Sequence, residues 1–261
     1  MPEAAASSGH GDADWATRRL GRIGILGGMF NPPHLGHLAL ARAAASELGL
    51  DVVLFTPVLI PPHKPAKWDP GAEHRLRMCE LVVQGDERLG VCTLELQRPG
   101  PSYTVDTLRS IHASHPDAEL TLILGADMAR TLGSWREPRE ILDLARIAVA
   151  ERDGSRQAEV VDALVPLGGG ERAVFLGMES HDVSSSLVRR RLTSGAPIEP
   201  LVGSEVADYI ARNELYGHHA ERTAGGAAPG GTPGVASGRT QGAAPEGERG
   251  VAGKPTQGAM P

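Results

Sequence analysis

Two histidines that follow a pair of glycines are the residues of this 261-residue chain best suited to chemistry. A β-branched run leads into Gly27-Gly28, and His34 and His37 lie at the start of an Ala- and Leu-rich helical segment. Glycines let a phosphate approach the backbone, and a helix N-terminus favours negative charge. Imidazoles three residues apart share one helix face, so both can donate to one phosphate chain. The pattern predicts a phosphate site, with helix capping or solvation of the histidines as the alternative.

A second candidate anion site lies where three serines precede a basic run. Ser184, Ser185 and Ser186 begin a helical segment, and Arg189 follows one turn later. Ser184 can cap the helix, the free N–H groups of its first turn attract an anion, and Arg189 adds a positive charge. The serines favour a triphosphate site over the alternative, a solvated basic face.

Two loops add residues suited to nucleotide binding. Gly125 and Asp127 follow a buried strand at the edge where open α/β sheets bind ligands, and the Asp127 carboxylate can accept hydrogen bonds from ribose hydroxyls. His63 and Lys64 lie in a proline-stiffened loop after an earlier strand, where the Lys64 ammonium can meet a phosphate. A solvated loop lysine is the alternative there.

Aromatic residues mark a third region. Tyr103 and Thr104 precede a helical segment that Thr104 is predicted to cap, and Trp135 lies in a polar stretch. Packing of Tyr103 and Trp135 against the protein's own core is the alternative to stacking on a ligand ring.

Strands and helices that would position these residues alternate along the chain. Strands are predicted at Arg22–Leu26, Val52–Pro57, Val91–Leu96, Leu120–Leu124, Arg146–Ala150 and Ala173–Leu176. Helices are predicted at Leu35–Leu48, Ala72–Val83, Thr104–His115, Pro138–Leu144, Ser155–Leu164, Ser184–Leu192 and Ser204–Asn213. This alternation predicts an α/β, Rossmann-like, doubly wound fold with a mostly parallel sheet and helices on both faces. The glycine turn matches neither a Walker loop nor the dinucleotide fingerprint.

Composition limits the class of protein. The net charge of −6 argues against broad nucleic-acid binding, and the sequence contains no apolar run long enough for a membrane span and no evident secretion signal. We therefore expect a cytoplasmic protein in which Cys79 and Cys92 are buried free thiols. Residues 1–20 and the Gly-, Ala- and Pro-rich residues 218–261 are expected to be disordered, leaving one domain at 21–217.

Several motifs together resemble those of a known enzyme family. The segment from Gly27 to His37 is similar to the signature Gly-Gly-Thr-Phe-Asp-Pro-x-His-x-Gly-His of a nucleotidyltransferase superfamily, although Met29 replaces Thr or Ser and Asn31 replaces Asp. Pro-Pro-His-Lys, Gly-Pro-Ser-Tyr-Thr, Gly-Ala-Asp and Ser-Ser-Ser-Leu-Val-Arg follow in the order found in nicotinate mononucleotide adenylyltransferases. The resemblance extends from Arg22 to Tyr216.

This resemblance implies adenylyl transfer from ATP to the 5′-phosphate of nicotinate mononucleotide, giving deamido-NAD. It implies that catalysis rests on His34, His37 and Arg189. It implies ATP contacts from Gly27, Gly28, Met29, Phe30, Gly125, Asp127, Ser184, Ser185 and Ser186, and mononucleotide contacts from Asn31, His63, Lys64, Tyr103, Thr104 and Trp135. Mg²⁺ would accompany ATP, held mainly by its phosphates.

Two other functions stay open. Pantetheine-phosphate or cytidylyl transfer would share His37. A non-catalytic nucleotide-binding module with a partner-binding tail is suggested by Met29, Asn31 and the C-terminal residues 218–261. Within the favoured function we expect the acid mononucleotide to be preferred over the amide, because backbone N–H groups near Tyr103, Thr104 and Trp135 suit a carboxylate. A carboxylate close by would oppose this preference, and Asp106 is near in sequence, although we expect it to face solvent.

Overall fold

A six-stranded parallel sheet forms the centre of the protein. The computed structural model describes residues 15–61, 68–151, 153–178 and 183–217. In order along the chain, the strands are β1 Arg22–Gly28, β2 Val52–Pro57, β3 Leu89–Val91, β4 Glu119–Gly125, β5 Ala145–Ala150 and β6 Ala173–Leu176. They are arranged in the order β3-β2-β1-β4-β5-β6, and each neighbouring pair is parallel. The predicted Rossmann-like fold is confirmed.

Helices connect the strands and cover both faces of the sheet. They are α1 Leu35–Glu47, α2 Ala72–Val83, α3 Leu94–Gln97, α4 Thr104–Ser114, α5 Ala126–Arg130, α6 Pro138–Leu144, α7 Gly154–Leu164, α8 Ser185–Thr193, α9 Glu199–Val202 and α10 Ser204–Arg212. Short 3₁₀ turns lie at Trp15–Thr17, Leu132–Ser134, Val165–Leu167, Gly170–Arg172 and Leu215–Gly217. None of the helices in these described ranges is long and apolar enough to cross a membrane.

Two apolar cores explain why the central strands are almost continuously hydrophobic. Successive side chains of a strand point to opposite faces, and both faces of this sheet are covered. On one face Ile25 and Leu122 pack with Leu108 of α4. On the other, Phe55 and Ile123 pack with the small alanines of α1. Ile25 pairs in register with Leu54 on one side and Leu122 on the other, so β1 is held at the centre.

A third apolar cluster joins the C-terminal helices to α2. Met78 of α2 packs with Val188 of α8, Ile210 of α10 and the ring of Tyr216. The cluster attaches the chain's last described helices to the sheet through α2. As predicted, Cys79 and Cys92 are buried free thiols.

The predicted strand at Val91–Leu96 is wrong. Strand β3 ends at Val91, and α3 begins at Leu94. Only three residues of this edge strand pair with β2, and after Cys92 donates its N–H to the Phe55 carbonyl the chain turns away. The alternating apolar residues that suggested a continuing strand belong to a short helix.

The predicted N-terminal boundary at residue 20 lies too far along the chain. Trp15 and Leu20 are each 6% exposed, and the indole N–H of Trp15 donates to the Val91 carbonyl at 2.9 Å. The indole also stacks on His115, with ring centroids 5.8 Å apart. This apolar burial is a tertiary contact that local composition does not reveal. Residues 1–14 and 218–261 lie outside the described residues.

Candidate active site

A cavity of about 790 Å³ opens at the carboxyl ends of β1 and β4. Strand order reverses at this point, because β2 and β3 extend to one side of β1 and β4 to β6 extend to the other. Open α/β sheets bind ligands at such a switch point, and the volume suits a nucleotide-sized molecule. The predicted site residues that line the cavity are Gly27, Gly28, Met29, His34, His37, Tyr103, Thr104, Gly125, Asp127 and Trp135.

His34 and His37 form a stacked pair at the start of α1. His34 is the N-cap residue, and its backbone N–H donates to Nδ1 of His37 at 3.2 Å. The two rings lie 3.6 Å apart between centroids with an interplanar angle of 29°. The neutral ring of His37 therefore carries its proton on Nε2. The capping alternative is thus present in the structure, together with a cavity-facing position.

Burial keeps both imidazoles neutral. Desolvation lowers the pKa of His34 to about 4. Desolvation, together with repulsion from His34 when that ring is protonated, lowers the pKa of His37 to about 3. Nδ1 of His34 is buried and has no hydrogen-bond partner among the described residues. A neutral imidazole can donate one hydrogen bond to a phosphate oxygen without burying an uncompensated charge.

The loop between β1 and α1 places its aromatic residue beneath the site. Phe30 is 2% exposed, and its ring packs 5.3 Å from that of Phe55 and edge-on to His37. A Cβ on Gly28 would come within 3.3 Å of the Phe30 ring, so the glycine permits this packing. The ring of Phe30 therefore supports the histidines from the core, which leaves its backbone for any contact with ATP.

A buried arginine that no sequence pattern predicted holds this loop. Arg75 of α2 is fully buried, and its Nη1 donates to the carbonyls of Met29 at 3.1 Å and Val58 at 2.7 Å. Its Nε bonds to Asp69 at 3.0 Å. One guanidinium thus joins the glycine loop, the end of β2 and the segment before α2. No local signal identifies it, because an arginine on an amphipathic helix is ordinarily exposed.

Helix α8 is attached to the loop that carries the histidines. As predicted, Ser184 caps α8 by accepting the N–H of Leu187 at 3.2 Å. The Ser185 hydroxyl donates to the Pro32 carbonyl at 2.8 Å. The guanidinium of Arg189 donates to the carbonyl of the buried Asn31 at 2.5 Å and to the Ser186 hydroxyl at 3.1 Å.

The two predicted phosphate motifs are therefore adjacent in the structure, although 158 residues separate Asn31 from Arg189. These contacts engage the donors of Ser185 and Arg189 with the protein's own carbonyls. Binding a triphosphate through them would require an exchange of partners.

The aromatic region lies across the cavity from α1. Helix α4 begins at Thr104 and its N-cap is Tyr103, so the prediction that Thr104 caps the helix is wrong by one position. Trp135 donates its indole N–H to the Thr131 hydroxyl at 3.1 Å. The guanidinium of Arg136 lies over the Tyr103 ring, with its carbon 4.7 Å from the ring centroid. Arg136 also lines the cavity, although no sequence pattern predicted it.

A buried carboxyl group also lines this side of the cavity. Glu95 of α3 is 4% exposed, and burial raises its pKa. Its Oε1 accepts from the Thr107 hydroxyl at 2.8 Å. Asp106, the acid considered from sequence, instead bonds to Arg109 at 3.1 Å and is absent from the cavity lining. Glu95 was missed because the segment around it was predicted to be a strand.

The remaining predicted residues have different standing. Asp127 lies at the cavity mouth with a 91% exposed side chain that bonds to Arg130. Glu151 and Arg156, which no sequence pattern predicted, also line the cavity and lie 3.6 Å apart. His63 and Lys64 lie outside the described residues.

Comparison with known proteins defines the class to which this fold and site belong. The cytidylyltransferase-like family matches residues 25–191, which include both histidines and Arg189. The chain therefore belongs to the cytidylyltransferase-like family of nucleotidyltransferases.

Within that family the chain belongs to the nicotinate-nucleotide adenylyltransferases. It is 40% identical over 201 residues to a probable nicotinate-nucleotide adenylyltransferase of Geobacillus thermodenitrificans, covering 76% of this chain and 87% of the relative. A relative of the same name from Thermomicrobium roseum is 37% identical over 198 residues, covering 76% and 92%.

Solved structures share the fold. The nicotinic acid mononucleotide adenylyltransferase of Plasmodium falciparum, complexed with NaAD, superposes with a TM-score of 0.63 at 18% identity, covering 76% of this chain and 98% of that one. A putative nicotinate-nucleotide adenylyltransferase from Vibrio parahaemolyticus gives a TM-score of 0.55 at 18% identity, covering 76% and 96%.

Proposed function

We propose that this protein transfers the adenylyl group of ATP to the 5′-phosphate of nicotinate mononucleotide, with release of pyrophosphate. The observation that carries the proposal is the pair of neutral histidines at the N-terminus of α1, inside a nucleotide-sized cavity that also contains Tyr103 and Trp135. Relatives named for this activity at about 40% identity support it.

Both substrates bring their own reactive groups, so the protein needs no nucleophile of its own. An oxygen of the mononucleotide phosphate attacks the α-phosphorus of ATP, the bond to the bridging α,β-oxygen breaks, and pyrophosphate leaves with that electron pair. Catalysis then consists of aligning the two phosphates and stabilising the charge that develops on the oxygens.

The residues divide between these tasks. Nε2–H of His37 and the imidazole of His34 donate to the α-phosphate region, assisted by the N–H groups of Gly28 and Met29. Arg189 and Ser185 take up the departing pyrophosphate after exchanging their bonds to the Asn31 and Pro32 carbonyls. Side-chain donors that are already oriented by the protein stabilise developing charge with little reorganisation.

The two nucleosides occupy opposite ends of the cavity in this proposal. The ribose of ATP lies near Gly125 and Asp127, with Ser184 and Ser186 beside its phosphates. The pyridine ring lies against Tyr103, Thr104 and Trp135. His63 and Lys64 belong to the mononucleotide side as predicted from the sequence, and Asn31 acts there through its buried position under the loop.

Mg²⁺ is proposed as the ion that enters with ATP. Within the described residues no three His, Cys, Asp or Glu side chains gather in a metal-binding arrangement. Magnesium commonly keeps several waters and binds substrate phosphates, which suits a site whose protein donors are imidazole and guanidinium. The ion would neutralise phosphate charge during attack. A cytoplasmic location completes the proposal.

An acceptor panel tests the assignment. Purified protein with ATP and Mg²⁺ is offered nicotinate mononucleotide, nicotinamide mononucleotide or phosphopantetheine, and pyrophosphate release is measured; a parallel reaction supplies CTP in place of ATP. We expect the highest kcat/KM for ATP with nicotinate mononucleotide. Greater turnover with phosphopantetheine or CTP would assign one of the related transfers. Nucleotide binding without pyrophosphate release from any pair would identify a non-catalytic module.

A further inference from the structure

The guanidinium of Arg136 places a positive charge on the cavity wall that carries the aromatic residues. It follows Trp135 directly, lines the cavity, and places its guanidinium carbon 4.7 Å from the centroid of the Tyr103 ring. A guanidinium at this distance is attracted to the ring face, which restricts where the flexible side chain lies. The positive charge is therefore kept beside the residues proposed to contact the pyridine ring.

The guanidinium retains donors for a ligand. Within the part of the chain that the structure describes, its charge partner is Oε1 of Glu137, 3.3 Å from Nε, and its side chain is 51% exposed. The other carboxylate oxygen of Glu137 accepts from Arg109 at 2.5 Å. Glu137 thus keeps a strong partner without Arg136. An arginine has five N–H donors, so Arg136 can bind a planar carboxylate without giving up its contact with Glu137.

The charges on the cavity wall make this cation useful. Among the described residues that line the cavity, the arginines are Arg136 and Arg156, and Arg156 lies 3.6 Å from the carboxylate of Glu151. The aromatic side contains the buried Glu95. Glu95 lies beside Arg98, whose positive charge favours the ionised form of this buried carboxyl. A pyridine carboxylate close to Glu95 would gain from a further positive charge, and Arg136 supplies one on the cavity wall.

We propose that Arg136 is a specificity-determining residue whose guanidinium donates to the pyridine carboxylate of nicotinate mononucleotide. This inference rests on the proposed function and adds a side-chain donor to the backbone N–H groups expected at Thr104. The amide of nicotinamide mononucleotide offers the guanidinium one uncharged carbonyl acceptor in place of two carboxylate oxygens, and its two N–H donors find no acceptor on Arg136. Arg136 thereby discriminates between two substrates of nearly equal shape.

Three variants test the proposal. Arg136→Met removes the charge while keeping an unbranched side chain for packing on Tyr103, and Arg136→Lys keeps the charge without the planar fork. Arg139→Met is the matched control, because Arg139 is an exposed arginine of the neighbouring helix α6 and does not line the cavity. Steady-state kcat/KM is measured with each mononucleotide, and binding of each is measured separately by titration calorimetry.

We expect Arg136→Met to lower kcat/KM for nicotinate mononucleotide about 10-fold or more, the effect of one charge-assisted hydrogen bond at a half-exposed position. The value for the amide should fall far less, so the acid-to-amide ratio should drop. Arg136→Lys should restore part of that ratio, and Arg139→Met should leave it unchanged. Calorimetry should show that Arg136→Met binds nicotinate mononucleotide more weakly, while its affinity for nicotinamide mononucleotide is unchanged.

Two results would overturn the inference. An unchanged ratio in Arg136→Met would show that the guanidinium does not contact the carboxylate, and an equal loss for both substrates would indicate a phosphate contact or a structural effect. Failure of the unmutated protein to use nicotinate mononucleotide would instead reject the proposed function, so the two failures are distinguishable.

Discussion

The backbone N–H of His34 donates to Nδ1 of His37, so the second histidine of the pair caps the helix that presents both rings. One imidazole thereby has two roles: Nδ1 satisfies a helix N-terminus, and Nε2 remains as a donor. Because the roles belong to different ring atoms, substitutions can separate them.

Replacing His37 tests that separation. His37→Asn offers an acceptor near the position of Nδ1 but lacks the Nε2 donor, whereas His37→Ala lacks both. We expect both variants to lose about 10²-fold or more in kcat, as for removal of a transition-state donor. His37→Ala should also lose about 1 kcal/mol of stability through the missing cap. The exposed His112→Asn is the control, and near-normal turnover in His37→Asn would contradict the mechanism.

Stability should decline as the pH falls below the ordinary pKa of histidine. Burial lowers the folded-state pKa of His34 to about 4 and of His37 to about 3, while both titrate near 6.5 when unfolded. Between these values the unfolded state binds more protons, so the contribution is complete above pH 6.5 and lost toward pH 4 and 3. Lowering the pH from 7.5 to 5 should therefore reduce the free energy of unfolding by about 2 kcal/mol at most for each imidazole.

Urea unfolding at pH 7.5 and pH 5 measures this effect. The double variant His34→Gln, His37→Asn should show a smaller difference between the two pH values than the unmutated protein. An equal difference in both proteins would show that the two rings titrate normally in the folded state.

Arg75 is expected to be critical for the geometry of the glycine loop. Arg75→Met leaves the carbonyls of Met29 and Val58 and the Asp69 carboxylate without this donor. We expect a loss of about 3 kcal/mol or more in the free energy of unfolding and a raised KM for ATP. Arg75→Lys should have a free energy of unfolding between those of Arg75→Met and the unmutated protein, because an ammonium keeps the charge but lacks the planar guanidinium.

Arg77→Met provides the control on the same helix, since Arg77 is 54% exposed and pairs with Glu80 at the surface. Its unfolding midpoint should stay close to that of the unmutated protein. If Arg75→Met were equally benign, the buried guanidinium would have no part in holding the loop.

Trp15 should stabilise the domain although it precedes the first strand. Trp15→Ala removes a buried indole and its hydrogen bond to Val91, so we expect a loss of about 3 kcal/mol. Trp15→Phe keeps most of the apolar contact and should lose less. Denaturant midpoints measure both variants, and equal midpoints for Trp15→Ala and the unmutated protein would return the domain boundary to residue 20.

Truncation after Gly217 should preserve the melting temperature and adenylyl transfer, because residues 218–261 contain no Trp, Tyr or Phe and few large aliphatic residues. Truncation after Glu214 is the comparison, since it also removes Leu215 and Tyr216 from the apolar cluster on α2. Only this second cut should destabilise the domain. A lower melting temperature after the first cut would show that residues 218–261 pack against it.

Local patterns were sufficient to predict most elements of the fold. The bounds of β2, β6, α2 and α6 agree with the sequence prediction, since strand-forming runs and amphipathic periods in these segments match their burial. The spacing of His34 and His37 indicated one shared helix face, and the structure stacks the two rings. These properties depend on residues that are neighbours along the chain.

Only the tertiary structure determined which charged and aromatic side chains are buried or held in contacts that their residue type does not predict. Arg75 and Glu95 are buried, Arg136 lies over Tyr103, and Trp15 packs against the end of β3. The partners of Arg75, Trp15 and Arg136 are distant along the chain. Glu95 lies in a short helix where the sequence predicted a strand. The lowered pKa of the histidines has the same origin, because desolvation is produced by everything packed around a group, and sequence spacing carries no measure of it.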